Sequence, residues 1–440
     1  MSFEESYARL LGVVERIVKA LKQDYVASRE AGIVSEREEV YRAYYRVHPI
    51  PIGYQSRPVI FVDAGFHVLE TDVLSLVVTS VGGCVRDEDG RLHYPSELGD
   101  YEFPETLFLY GRWVERAGQP EFTIKLIPVN AAGLLYNEER SEKVSTELTN
   151  LINKRIKTTV SRVKLLRLFR KMVKYLEGLL EIAYSLRLQD LLGFDTVAIV
   201  DGTLSRWFSV KTGIKFFDFD GIDILEVLVG KSRETIIQRL MRTYGIVKNA
   251  KFTSIARARW LFKVLPSNPL GLYANTDAES AEKAVAIVNS KIREKYGEEA
   301  GEEAALMFNR VVHPRAKLWS AKFPITTEGN TVVYLEAHTE GPVLGYERGR
   351  GAYAQVSIAE ELKKRISSAV EDVMAHRSSI FWYPPYGFME LDQYVRIPMS
   401  RLRKLEDVFI NVIRRETGEV GHPLEYLFES TRRMRIGYAG

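Results

Sequence analysis

The chain has 440 residues, a net charge of +3, 46% hydrophobic and 27% charged residues, and a single cysteine. Cys84 alone excludes a disulfide framework or a cysteine-rich metal site and fits a reducing, cytoplasmic setting. No apolar run reaches membrane-spanning length, Met1-Ser2-Phe3-Glu4-Glu5 is no signal peptide, and the seven scattered histidines hold no His-x-x-x-His pair that would suggest zinc.

With so small a net charge, any affinity for nucleic acid must come from local basic patches. Seven glutamines against 61 Lys plus Arg and 58 Asp plus Glu is a thermophile-like bias. The length allows two or three domains. No linker is evident, so the expected division is a helical arm over 1–55 and one body over 56–440.

In chain order, 3–46 reads as one or two helices, because Leu10, Leu11, Val14, Ile17, Val18 and Leu21 recur at helical spacing. His48-Pro49-Ile50-Pro51-Ile52-Gly53 breaks that pattern. Strands follow at 60–63, near 73–81 and near 121–129, the last two joined by a long connection with a turn at Asp87-Glu88-Asp89-Gly90. A helical stretch runs over 149–190, then a strand over 196–201. Residues 281–311 read as the helical part of an insertion over about 270–312, and 354–376 as a further helix. The order strand, strand, strand, helix, strand, with an acid on the first and last strands, predicts an α/β fold. Its expected form is a ribonuclease H-like (PIWI-like) mixed sheet core with helical insertions.

The chemistry centres on two segments, Ile60-Phe61-Val62-Asp63-Ala64-Gly65 and Val197-Ala198-Ile199-Val200-Asp201-Gly202-Thr203. Each is a β-branched run of the kind that forms a buried strand, ending in an aspartate and a glycine turn. Buried charge is costly, and two carboxylates side by side repel unless a cation lies between them. A divalent-metal site follows, with Mn²⁺ or Mg²⁺ as the hard ion that suits oxygen ligands. Such a site usually needs a third carboxylate. The helix before the second strand offers Glu177 and Glu181, four residues apart on one broad face, and the helical wheel leaves both open.

Thr149 to Leu176 carries nine basic residues, among them Lys164, Arg167 and Lys171, and no acid. Such a stretch suits a polyanion backbone. Arg396 and the terminal pair Arg432 and Arg433 are further candidates for phosphate contacts. The loop Phe381-Trp382-Tyr383-Pro384-Pro385-Tyr386 could stack on unpaired bases.

These motifs resemble the NurA nuclease family. The family pattern is a strand ending in Asp-Gly-Ser, a helix with a catalytic Glu, a second strand ending in Asp-Gly-Ser-Leu, a downstream Lys and a C-terminal Tyr-Pro…His. Here they correspond to Phe61-Val62-Asp63-Ala64-Gly65, Leu179-Leu180-Glu181-Ile182-Ala183, Ile199-Val200-Asp201-Gly202-Thr203-Leu204, Lys251 and Gly421-His422-Pro423. The resemblance implies a metal-dependent deoxyribonuclease with Asp63, Glu181 and Asp201 as metal ligands and Lys251 as a catalytic cation. It also implies a homodimer that resects DNA ends with a HerA-type hexameric ATPase.

The chain departs from the pattern at Ala64, at His422 where the family has Tyr, and at Ser430 where the family has His. His422 is therefore the candidate to supply the imidazole. One rival expectation is an impaired subunit kept for DNA binding or ATPase docking. A second, an actin- or sugar-kinase-like phosphotransferase, lacks the glycine- and threonine-rich phosphate turn after the first aspartate.

Overall fold

The computed structural model describes residues 3–30, 33–51, 57–70, 74–116, 119–135, 138–156, 162–193, 196–204, 221–247, 261–262, 271–297, 302, 305–313, 318–326, 332–376, 387–422 and 425.

Fourteen strands are present among them. They are β1 (Arg46–Pro49), β2 (Val59–Glu70), β3 (Leu74–Arg86), β4 (Leu92–His93), β5 (Glu105–Arg116), β6 (Gln119–Pro128), β7 (Val197–Asp201), β8 (Thr243–Val247), β9 (Leu272–Asn275), β10 (Asn309–His313), β11 (Leu318–Thr326), β12 (Val332–Thr339), β13 (Leu344–Glu347) and β14 (Gly351–Ala354). The helices used below are α1 (Phe3–Glu30), α2 (Ile33–Tyr44), α3 (Pro95–Leu98), α4 (Glu138–Ile156), α5 (Arg162–Leu192), α6 (Gly221–Val229), α7 (Arg233–Leu240), α8 (Ala278–Ile287), α9 (Arg293–Tyr296), α10 (Val356–Ala375), α11 (Phe388–Val395) and α12 (Met399–Thr417).

One large mixed sheet runs β1-β9-β11-β12-β8-β7-β2-β3-β5-β6, with β10 beside β11 and β4 beside β3. Its centre, β8-β7-β2, is parallel, and antiparallel wings extend from both sides. A parallel centre must be covered on both faces, which is why β7 reads as an unbroken apolar run. Ile60, Val62, Ala198 and Val200 face one core, shared with Leu176, Leu179, Leu180 and Ala183 of α5. Phe61, Ile199, Tyr244 and Ile246 face the other, shared with Leu362, Ile366 and Val370 of α10 and with Phe388 and Leu391 of α11. The period-2 alternation of β2 and β7 thus divides two cores across one sheet.

The α/β expectation with a mixed sheet holds, and several details are corrected. The connection between the second and third expected strands contains a full strand, β5, whose Leu107 and Leu109 are wholly buried. Its other face carries Thr106, Phe108 and Tyr110, and that mixed alternation hides it from a reading for apolar runs. The second strand continues past 81 to Arg86, because β2 is itself long and pairs with it throughout. Asp63 does not end its strand: β2 runs seven residues further, to Glu70. The described residues of the stretch 149–190 belong to two helices, α4 and α5. The segment 270–312 is not helical throughout. It opens with β9, which pairs with β1 and β11 of the main sheet, and it ends within β10. At the N-terminus, α2 and β1 pack into the body, with Val40, Tyr41 and Tyr44 in the core beside Phe308.

Candidate metal and phosphate site

The site begins where β7 stops. Val59 to Val62 of β2 lie in parallel register beside Val197 to Val200 of β7. Asp63 and Asp201 are therefore the next residue on each strand, on the side of the sheet that Phe61 and Ile199 face. β7 ends at Asp201 while β2 continues, so groups from both sides of the sheet can meet beyond the end of β7. A cavity of about 510 Å³ lies there, lined by Asp63, Glu177, Glu181, Asp201, Asp392 and Arg396, with the Thr203 turn at one wall.

Local packing fixes the two aspartates. Gly202 takes φ +123°, a conformation that side chains rarely adopt, and its N–H donates to the Ile246 carbonyl at 2.9 Å. The Gly202 carbonyl comes so close to Gly245 of β8 that a Cβ there would sit 2.5 Å from it. Thr203 donates its hydroxyl to Glu336, a wholly buried carboxylate on β12. Glu336 also accepts from the Ser320 hydroxyl at 2.7 Å and has the Lys322 ammonium at 3.4 Å. A buried carboxylate is tolerable when it is paired and hydrogen-bonded in this way. Beside Asp63, Gly65 allows the Val395 carbonyl at the end of α11 to approach, since a Cβ at 65 would stand 2.8 Å from that oxygen. Asp63 itself accepts the Ala64 N–H at 2.9 Å.

The helix α5 brings both open alternatives to the cavity. Glu181 is buried and Glu177 half-buried, one turn apart. Glu181 follows Leu179 and Leu180 in a helix segment that is buried throughout. Arg396, exposed at the cavity, has its guanidinium 3.9 Å from Asp392. Sequence reasoning missed Asp392 and Glu336. Glu336 was findable, because a glutamate in Val332-Val333-Tyr334-Leu335-Glu336-Ala337 interrupts a strand buried on both faces.

Other candidates are not brought here. His422 follows α12 and is half-buried, with its carbonyl accepting the Glu425 N–H at 2.8 Å, and it does not line the cavity. Lys164, Arg167 and Lys171 lie in the first third of α5, where the backbone path alone is described. Lys251, Arg432, Arg433, Ser430 and the loop 381–386 lie outside the described residues.

The donor set is what fits a hard divalent ion: four carboxylates from β2, β7 and α5 on one cavity, with no sulfur or imidazole among its lining residues. As they stand, no three His, Cys, Asp or Glu side chains among the described residues converge closely enough to cage an ion.

Comparison with known proteins found no family model and no curated protein that matches the chain. Among solved structures it is similar to the NurA nuclease from Sulfolobus solfataricus, at 10% identity and a TM-score of 0.41, over 92% of this chain and 97% of that one. A second NurA structure gives 10% identity and a TM-score of 0.36, over 91% and 97%. NurA bound to dAMP and manganese gives 9% and 0.34, over 90% and 96%. Likeness this remote assigns no family, and the functional reading rests on the residues of the cavity.

Proposed function

We propose that the protein is a metal-dependent nuclease that hydrolyses phosphodiester bonds of DNA in the cavity at the end of β7. The observation that carries this is the carboxylate set Asp63, Glu177, Glu181 and Asp201 on one cavity with Arg396 at its edge. Asp63, Asp201 and Glu181 would hold Mn²⁺ or Mg²⁺, with Glu177 as a further oxygen donor. When bound, such an ion supplies a water activated for attack and a counter-charge for the phosphate. The chain's own residues do the rest. The parallel register of β2 and β7 spaces the two aspartates, and the Glu336–Thr203 contact holds the turn that carries Asp201. Arg396 at the cavity edge attracts the anionic substrate.

The motif resemblance supports the finer parts of the reading. These are a ribonuclease H-like (PIWI-like) core, Lys251 as a catalytic cation, and phosphate contacts along α5 and at Arg432 and Arg433. They extend to end resection with a HerA-type hexameric ATPase and to a homodimer. A specific feature favours the dimer: Leu10, Leu11, Val14, Ile17, Val18 and Leu21 of α1 are all exposed by roughly half, an apolar stripe suited to a second copy.

The test is cleavage of end-labelled single- and double-stranded DNA in Mn²⁺ by the native chain, Asp63→Ala and Asp201→Ala. Activity in the native chain and none in the variants is expected. An inert native chain that still binds DNA would favour the impaired-subunit alternative.

A further inference from the structure

A second cavity, of about 320 Å³, lies next to the first. Ile397, in the three-residue link between α11 and α12, lines both. The second is a groove between α12 and the open face of β3 and β5. Val78, Phe108, Val129, Leu402, Leu405 and Val408 give it an apolar floor and wall. Arg401 and Lys404 line it too, and both are exposed.

Strand register ties the groove to the candidate site. Asp63 on β2 lies opposite Gly82 on β3, and Gly65 opposite Ser80. Ser80 and Val78 are two and four residues from Gly82, so their side chains share Asp63's side of the sheet. Each two-residue step is about 7 Å along the strand. On β5, Thr106 and Phe108 lie opposite Ser80 and Val78 and continue the same surface. The groove therefore starts one step from Asp63 and leads away from it.

The charged side chains lining the groove are both cationic, Arg401 and Lys404, while Glu406 and Asp407 of the next turn do not line it. Arg401, Arg403 and Lys404 fall within the first six residues of α12, and no acid accompanies them in its first turn. Arg401, in the first turn, opposes the helix dipole and is held there at a cost that a bound anion would offset. An apolar trough with an aromatic ring in it and cations along the rim matches a chain of alternating bases and phosphates. It does not match a free anion, which has no use for the floor, or an apolar helix, which has none for the rim.

We propose that this groove receives the unpaired strand leading to the scissile phosphate, with bases against Val78, Phe108 and Val408 and phosphates on Arg396, Arg401 and Lys404. The proposal rests on the nuclease reading for its substrate, yet it is tested by binding alone.

The probes are a fluorescein-labelled oligothymidylate and an abasic oligomer of equal phosphate number, at low salt with EDTA. The native chain should bind the base-bearing probe about tenfold more tightly, as one stacked base implies. Arg401→Ala with Lys404→Ala should weaken both probes and flatten the salt dependence. Val408→Asp, at an exposed position, should weaken the base-bearing probe and erase the preference. Unchanged melting temperatures would confirm that the variants fold. Equal affinity for the two probes, or variants that bind like the native chain, would overturn the groove assignment. Cleavage in Mn²⁺ is scored separately: cleavage with indifferent groove variants sinks the groove alone, and base-dependent binding by an inert chain sinks the nuclease reading alone.

Discussion

Helices α1 and α5 show the same helical periodicity and meet opposite fates. The stripe of α5 is buried against β2, β3 and β7, with Leu179, Leu180 and Ala183 wholly inaccessible. The stripe of α1 stands open, with Leu10 at 59% and Leu21 at 61% exposure. Periodicity reports that a helix has an apolar face, and says nothing of what covers it. The difference lies in the neighbours: α5 crosses the parallel centre of the sheet, which must be covered, whereas α1 precedes all of it.

The sharpest way to test the contrast is at the chemistry proposed for the cavity that α5 lines. Asp201→Ala or Asp63→Ala should lower cleavage roughly 10⁴-fold or more, the scale on which residues acting as a unit fail singly. Circular dichroism should be unchanged. Substantial cleavage by either variant would remove the metal reading.

Packing comes next. Leu180→Ala, at a wholly buried site of α5, should destabilise the fold by about 2–5 kcal/mol. Leu10→Ala on α1 should cost the monomer within about 0.5 kcal/mol, and lower the oligomeric state in sedimentation if a second copy covers the stripe. Equal losses at every protein concentration would show that α1 is covered within its own chain.

Acidity separates buried from open groups again. Burial pushes the His338 imidazole down to about 4, and burial also lowers that of His376. Between about pH 6.5 and 4 the unfolded chain binds protons that the folded chain does not, so stability falls as pH drops through that window and levels off above it. His338→Gln should flatten the melting temperature against pH there. A native profile already flat between 7 and 4.5 would refute the burial argument.

The smallest effect divides α5 itself. Replacing Lys164, Arg167 and Lys171 by Ala should leave stability nearly unchanged. If they meet DNA, each lost phosphate contact should flatten the slope of log affinity against log salt by about 0.7–0.9. An unchanged slope would confine α5's role to its second half.

The central strands were legible because full burial leaves an unmistakable run, and Val197–Asp201 matched to within a residue of expectation. Asp63 and Asp201 could be paired for the same reason, since parallel neighbours of equal character take one register. What escaped was set by partners rather than by local pattern. Nothing in the sequence says that β7 stops where β2 goes on. Nor does the half-polar face of Thr106, Phe108 and Tyr110 announce β5. Glu177 and Glu181 stayed unresolved on a helical wheel because the cavity accepts both, and Asp392 reaches it from a helix more than 180 residues further along the chain.

The contact between Gly65 and the Val395 carbonyl gives protein engineers a lever. A single methyl at position 65 has no room, so Gly65→Ala would act as a one-carbon wedge under the last turn of α11. Ile397 and Arg396 follow directly on that turn. The smallest possible side chain, placed one step from Asp63, would thus tilt the partition between cavity and groove while leaving every charged residue in place. It offers a purely mechanical means of shifting Arg396 and Ile397 without altering a charge.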